Sequence, residues 1–150
     1  MTAMWFLVLT LLGGASASSN HRIVGGNPTT IEKYPALVQV EVFFIHFWSQ
    51  ACAANILTPR YVLTYLPRFR RIRAGSTYRN IDGIVSYVDI EFNHPSYGQY
   101  GFDGDISVIR LLTPLVYSPV IQQGTIIAQG YNVPDNSPVV QVGWGNTSVS

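Results

Sequence analysis

The side chains that could do chemistry are few and scattered. Histidines stand at His21, His46 and His94, a single cysteine at Cys52, and two aspartates, Asp103 and Asp105, flank Gly104. An imidazole works as a base only when a group to deprotonate lies within hydrogen-bond reach. His46 sits among apolar and aromatic residues in "FFIHFW", which suits a residue at a strand end. His94 precedes Pro95 in "FNHPSY", which reads as a turn, and neither histidine pairs with a nucleophile in sequence. Cys52 has no neighbouring base or helix start to raise its reactivity, so it reads as a free or buried thiol. No His-x-x-x-His or paired cysteines occur, and Asp82, Asp89 and Glu91 are spread out, so no metal or other cofactor is expected. Asn146-Thr147-Ser148 is an N-glycosylation sequon in a chain that reads as exported.

Charge narrows the partners. Nine basic and eight acidic side chains give a net charge of +1, too little to favour nucleic acid or an acidic membrane. Arg68, Arg70, Arg71 and Arg73 form the one basic cluster, which reads as a solvated loop or strand edge. Hydrophobic residues make up 47% of the 150 and charged ones 11%, enough to bury a core.

The N-terminus reads as a targeting segment. Met4 to Leu12, "MWFLVLTLL", is too short to span a bilayer and leads to the small residues Ala15, Ser16 and Ala17. Residues 1–17 are therefore expected to be a secretory signal peptide, although no Lys or Arg precedes the apolar run. No later segment has membrane length, so a secreted, extracellular protein is expected. Export makes one cysteine an odd count, since secreted chains usually pair theirs.

The elements that would position these residues are strands. Leu37 to Ile45, Tyr61 to Thr64, Ile72 to Gly75, Gly83 to Phe92, Ile106 to Leu112 and Val139 to Trp144 are rich in β-branched and aromatic residues. Pro59, Gly83, Pro95 and Gly104 punctuate them. No long helical period with caps occurs, so an all-β barrel or sandwich is expected. Pro119 to Pro138 is irregular and reads as a connection between two units.

Taken in order, the motifs carry a resemblance. "RIVGG" (Arg22 to Gly26), "YPALVQV" (Tyr34 to Val40), "ACAANILTPRYVLT" (Ala51 to Thr64), "RIRAGS" (Arg71 to Ser76), "EFNHPSY" (Glu91 to Tyr97), "FDGDISVIRL" (Phe102 to Leu111) and "VGWG" (Val142 to Gly145) resemble successive segments of the trypsin-like serine proteases. In character they are nearest the secreted digestive trypsins of insects. The resemblance implies a six-stranded antiparallel N-terminal barrel plus the first strand of an incomplete second barrel. It implies an activation segment at residues 18–22, cleavage between Arg22 and Ile23, and a partial protease domain over 23–150. It also marks Asp105 as the counterpart of the aspartate that orients the catalytic histidine.

Two parts of that mechanism are missing. The family continues Val-Leu-Thr with Ala-Ala-His-Cys, but here Tyr65, Leu66, Pro67 and Arg68 follow Thr64. Either Pro67 replaces the histidine, or that piece and the loop after it are deleted. Both readings remove the base, and both remove the cysteine that would pair with Cys52. The family's Gly-Asp-Ser-Gly-Gly does not occur in the 150 residues. The resemblance therefore leads to three expectations: an inactive, truncated homologue; an incomplete or mis-spliced form of an active endopeptidase with protein or peptide substrates; or a non-enzymatic binding or decoy module. An uncovered barrel face would favour self-association.

Overall fold

A computed structural model describes residues 26–65, 70–99 and 103–145. Six strands make up the fold: β1 (Leu37–Phe44), β2 (Phe47–Thr58), β3 (Tyr61–Thr64), β4 (Arg70–Ala74), β5 (Ile84–Asn93) and β6 (Ser107–Leu111). All neighbours pair antiparallel, and the order β1-β2-β3-β6-β5-β4 closes on itself. The expected six-stranded antiparallel barrel is what the chain forms. Closure leaves no sheet edge along the paired stretch, which removes the usual route to edge-to-edge association. One 3₁₀ turn, Ile31–Lys33, is the helical element among the described residues.

Alternation sets which side chains face in. On β4 the buried residues are Arg70, Ile72 and Ala74; on β6 they are Ser107, Ile109 and Leu111; on β3, Val62 and Thr64. These meet Val38, Val40, Cys52, Ala54 and Ile56 from β1 and β2 in one core. Apolar residues fill the middle of the barrel, and polar ones cluster where β3 ends and β4 and β6 begin. A bulge between Val40 and Glu41 offsets the ladder and brings Glu41 opposite Gln50.

β2 has no clear strand signal in its sequence, because its centre, Ala51, Cys52, Ala53, Ala54 and Asn55, is poor in β-formers. Position decides it: between β1 and β3, small residues pack closely while the ladder supplies the hydrogen bonds. The β1–β2 connection is a two-residue turn at Ile45 and His46, so His46 lies in an exposed turn rather than at a strand end. Ile45 is held at φ 47°, a region that β-branched residues rarely adopt.

Val139 to Trp144 is not a strand, contrary to expectation. A strand needs a ladder partner, and Val139 and Val140 are instead 85% and 76% exposed. The chain after β6 lies along the barrel by single bonds. Leu115 N donates to Pro59 O, Gln122 N to Pro35 O and Gly124 N to Ile56 O, each at 2.8 Å. Trp144 Nε1 donates to Thr77 O at 2.9 Å.

The arginine cluster is also not a solvated edge. Arg70, Arg71 and Arg73 lie on β4, paired with β1 on one side and β5 on the other. On the outer face Glu41 is fully buried and bridges two of them. Arg71 Nε donates to Glu41 Oε2 at 2.5 Å, and Arg73 Nε donates to Oε1. Arg71 also stacks over Trp48, 4.5 Å from the ring centre.

Candidate functional site at the polar end of the barrel

The ladder between β3 and β6 ends at Thr64 opposite Ser107. Asp105 lies two residues before that rung, exposed, at the same end of the barrel. Its turn is fixed by backbone bonds: Ile106 N donates to Gly104 O at 2.7 Å, and His94 N donates to Ile106 O at 3.1 Å. Gly104 has φ 70°, and a Cβ there would collide with Ser96 Oγ and His94 Nδ1. Only glycine lets the Asp103-Gly104-Asp105 turn approach the His94 turn this closely.

That approach sets the Asp103-Gly104-Asp105 turn against the His94-Ser96 turn. His94 does meet a hydroxyl: its Nδ1 lies 2.8 Å from Ser96 Oγ and accepts from Ser96 N at 3.2 Å. Both bonds are local and hold a turn together. His46 sits at the tip of the β1–β2 hairpin. His21, Arg22, Ile23, Pro67, Arg68 and Asn146 lie outside the described residues.

Beneath the Asp105 turn, inward-facing polar residues close the barrel. Cys52 Sγ donates to Ala53 O at 3.0 Å and lies 3.5 Å from Thr64 Oγ1. Thr64 Oγ1 donates to the same carbonyl at 3.2 Å. Gln50 Nε2 donates to Cys52 O at 3.0 Å, and Ser107 Oγ donates to Asn93 Oδ1. Arg70 enters this layer from β4 with its side chain fully buried. Its Nη1 donates to Tyr65 O at 3.2 Å, and its Nη2 lies 3.5 Å from Glu91 Oε2. Its Nε is buried and has no acceptor among the described residues, a deficit that costs about 1–3 kcal/mol. Burial pushes the Arg70 guanidinium below its ordinary value, while Glu91, then Cys52 and Tyr65, push it back up.

Two of the three separated carboxylates are committed elsewhere: Asp89 accepts from Arg110 Nε at 2.8 Å, and Glu91 faces Arg70. Asp82 accepts from Arg73 Nη1 through its backbone carbonyl. No group of three or more ligating side chains occurs among the described residues. Nor is any helix among them long and apolar enough to cross a membrane.

The meeting of Cys52 with Thr64, and of Arg70 with Tyr65 and Glu91, has no local sequence signal. The buried positions of β4 alternate, which would have turned Arg70 inward once that strand was recognised from its first residue. Taken as a pattern, "RRIRA" hides this, because Arg70 and Arg71 are adjacent and face opposite sides.

A closed antiparallel six-stranded barrel, with an aspartate turn set beside the end of the third strand, is the architecture of the chymotrypsin-like serine proteases. The chain belongs to the trypsin family: the Trypsin sequence model matches residues 23–150. It is 34% identical over 157 residues to an alkaline trypsin C of Manduca sexta, covering 93% of this chain and 59% of that protein. It is 36% identical over 133 residues to achelase-1 of Lonomia achelous, covering 84% of this chain and 61% of that protein. Among solved structures it superposes on the scabies mite inactivated protease paralogue S-D1 with a TM-score of 0.67 and 21% identity, covering 77% of this chain and 51% of that one. The chain thus spans about three fifths of the length of the curated relatives it matches.

Proposed function

We propose that this chain is an exported trypsin homologue that does not hydrolyse peptide bonds. One observation carries the reading. β3 ends at Thr64 and β4 begins at Arg70, so five residues join them: Tyr65, Leu66, Pro67, Arg68 and Phe69. None is a base at neutral pH. Proline, leucine and phenylalanine have no proton-accepting side chain, the guanidinium of arginine only donates, and tyrosine offers an acidic hydroxyl rather than an imidazole. Trypsin-type hydrolysis needs a histidine at this end of the barrel to take the serine proton and pass it to the leaving amine. In a protease of related mechanism, loss of that histidine costs about a millionfold in turnover.

Asp105 then survives as the counterpart of an orienting aspartate with no imidazole from β3 to orient. The remaining function of such a barrel is binding, with proteins or peptides as the partner class. The signal peptide at 1–17, cleavage between Arg22 and Ile23, and glycosylation at Asn146 belong to the same proposal.

The test is direct. The secreted chain is assayed against chromogenic peptide amides and esters and challenged with a fluorophosphonate serine probe. No turnover and no adduct are expected. Hydrolysis that disappears in Asp105→Asn, or a fluorophosphonate adduct mapped to one serine, overturns the proposal. A second reading, in which a longer form is an active endopeptidase, is favoured by the fraction of its relatives that the chain spans. Transcript sequencing through Thr64 decides it: an in-frame Ala-Ala-His-Cys segment there supports the active form.

A further inference from the structure

We propose that two copies of this chain pair by reciprocal docking, the β1–β2 hairpin tip of each entering a groove beside the tip of the other. Tip and groove are built from neighbouring rungs of one hairpin. Phe44 pairs with Phe47 at its end, and Phe43 pairs with Trp48 one rung back. Phe44, Ile45 and Phe47 form an apolar tip, 58%, 78% and 61% exposed. Phe43 and Trp48, with ring centres 5.2 Å apart, line a groove of about 600 Å³. Tyr87 lines it too, edge-on to Trp48 at 6.0 Å.

The charges of the two parts are complementary. From Val42 to Ser49 the one ionisable side chain is His46, exposed in the turn. An imidazole donates an N–H in either protonation state and is able to carry a positive charge. What the groove shows to solvent is acidic. The side chains of Asp89 and Glu91 are 34% and 25% exposed, whereas Arg70, which also lines it, has no exposed side-chain surface. The other guanidiniums beside it are engaged: Arg71, over Trp48, with Glu41, and Arg110 with Asp89. An apolar tip carrying one basic donor therefore suits an aromatic groove with carboxylates on its lining.

A second copy supplies both halves at once. Where a tip and the groove that fits it share one surface, a two-fold axis lets each tip fill the other's groove. Both apolar surfaces are then covered, and pairing stops at two copies. The turn residue fits this reading. Two-residue hairpin turns favour glycine or asparagine where φ is positive. Ile45 stands at φ 47°, so its side chain strains the fold while lying almost wholly outside it. The pairing is independent of whether the chain hydrolyses peptide bonds, and its readout is mass, not activity.

The experiment is sedimentation equilibrium of the full secreted chain over a range of concentrations, with flotation on phosphatidylcholine vesicles as a second arm. A monomer–dimer equilibrium with no larger species is expected, and no flotation. A monomer at every concentration, or open-ended larger species, overturns the proposal; flotation in place of pairing overturns it and assigns the tip to a lipid surface. His46→Glu sets like charges together and should weaken pairing about tenfold, with the urea midpoint unchanged because the residue lies in an exposed turn. Unchanged pairing in that variant overturns the docking. Asp89→Lys should weaken pairing as well, and both changes in one chain should restore it by exchanging the signs. A folded double variant that pairs no better than the single ones overturns the contact. Should Asp89→Lys fail to fold, as read by tryptophan fluorescence, Ile45→Gly replaces it. That variant should raise the urea midpoint yet weaken pairing, and unchanged pairing overturns the role of the tip.

Discussion

Glu41 offers the sharpest test of how the barrel is held. Its carboxylate is fully buried on the outer face of β1, where it bridges Arg71 and Arg73 of β4. The two arginine side chains are 17% and 11% exposed. Glu41→Gln keeps the shape and one acceptor oxygen but removes the charge, and turns an N–H₂ group toward a guanidinium. Breaking a buried ion pair by removing one partner costs about 3–5 kcal/mol. The arginines keep some contact with water, and one acceptor remains, so the lower end applies, about 3 kcal/mol. For a domain of this size that corresponds to a fall in Tm of roughly 10 °C. Urea unfolding followed by tryptophan fluorescence measures it well, because Trp48 stacks on Arg71 beside the cluster. The double variant Glu41→Gln, Arg73→Gln should lose less than the sum of the single variants, with a coupling on the order of 1 kcal/mol or more. A loss below about 1 kcal/mol would place the cluster with solvated surface pairs and refute the reasoning.

Other consequences are open to measurement. Ile45→Gly should raise the urea midpoint, because it relieves a β-branched residue held at φ 47°; a gain of about 1 kcal/mol is expected, and a lower midpoint would count against the turn geometry. Gly83→Ala should cost more than about 1 kcal/mol, because φ is 66° and the new Cβ would overlap the Ala74 carbonyl oxygen; a neutral result rules this out. Phe43, Phe44, Ile45 and Phe47 are each about half exposed or more at one hairpin tip, so the chain should self-associate and Phe44→Ser with Phe47→Ser should weaken that. Sedimentation of the unaltered chain as a monomer would contradict it.

Much of the barrel was readable from local pattern. β3, β5 and β6 follow from β-branched runs bounded by turn residues, and each fell within a residue or two of its expected limits. β2 was not readable that way, because its alanines carry no β-preference and its extended form comes from pairing on both flanks. Val139 to Trp144 misled for the opposite reason. Its composition suits a strand, but pairing is a property of two segments and no described segment pairs with it.

The candidate site divides along the same line. The absence of histidine between Thr64 and Arg70, the isolation of Cys52 and the turn at Asp105 are all facts of order along the chain, and the sequence determined them by itself. Which residues meet was decided by the barrel. A strand's side chains alternate, so a register or a bulge selects the face on which each one lies. That selection turned Arg70 inward, where it meets Tyr65 and Glu91, and turned Arg71 and Arg73 out onto Glu41. Four arginines close together in sequence read as a single basic patch; three of them, once folded, belong to two separate clusters, Arg70 buried inside the barrel and Arg71 with Arg73 half-buried around Glu41.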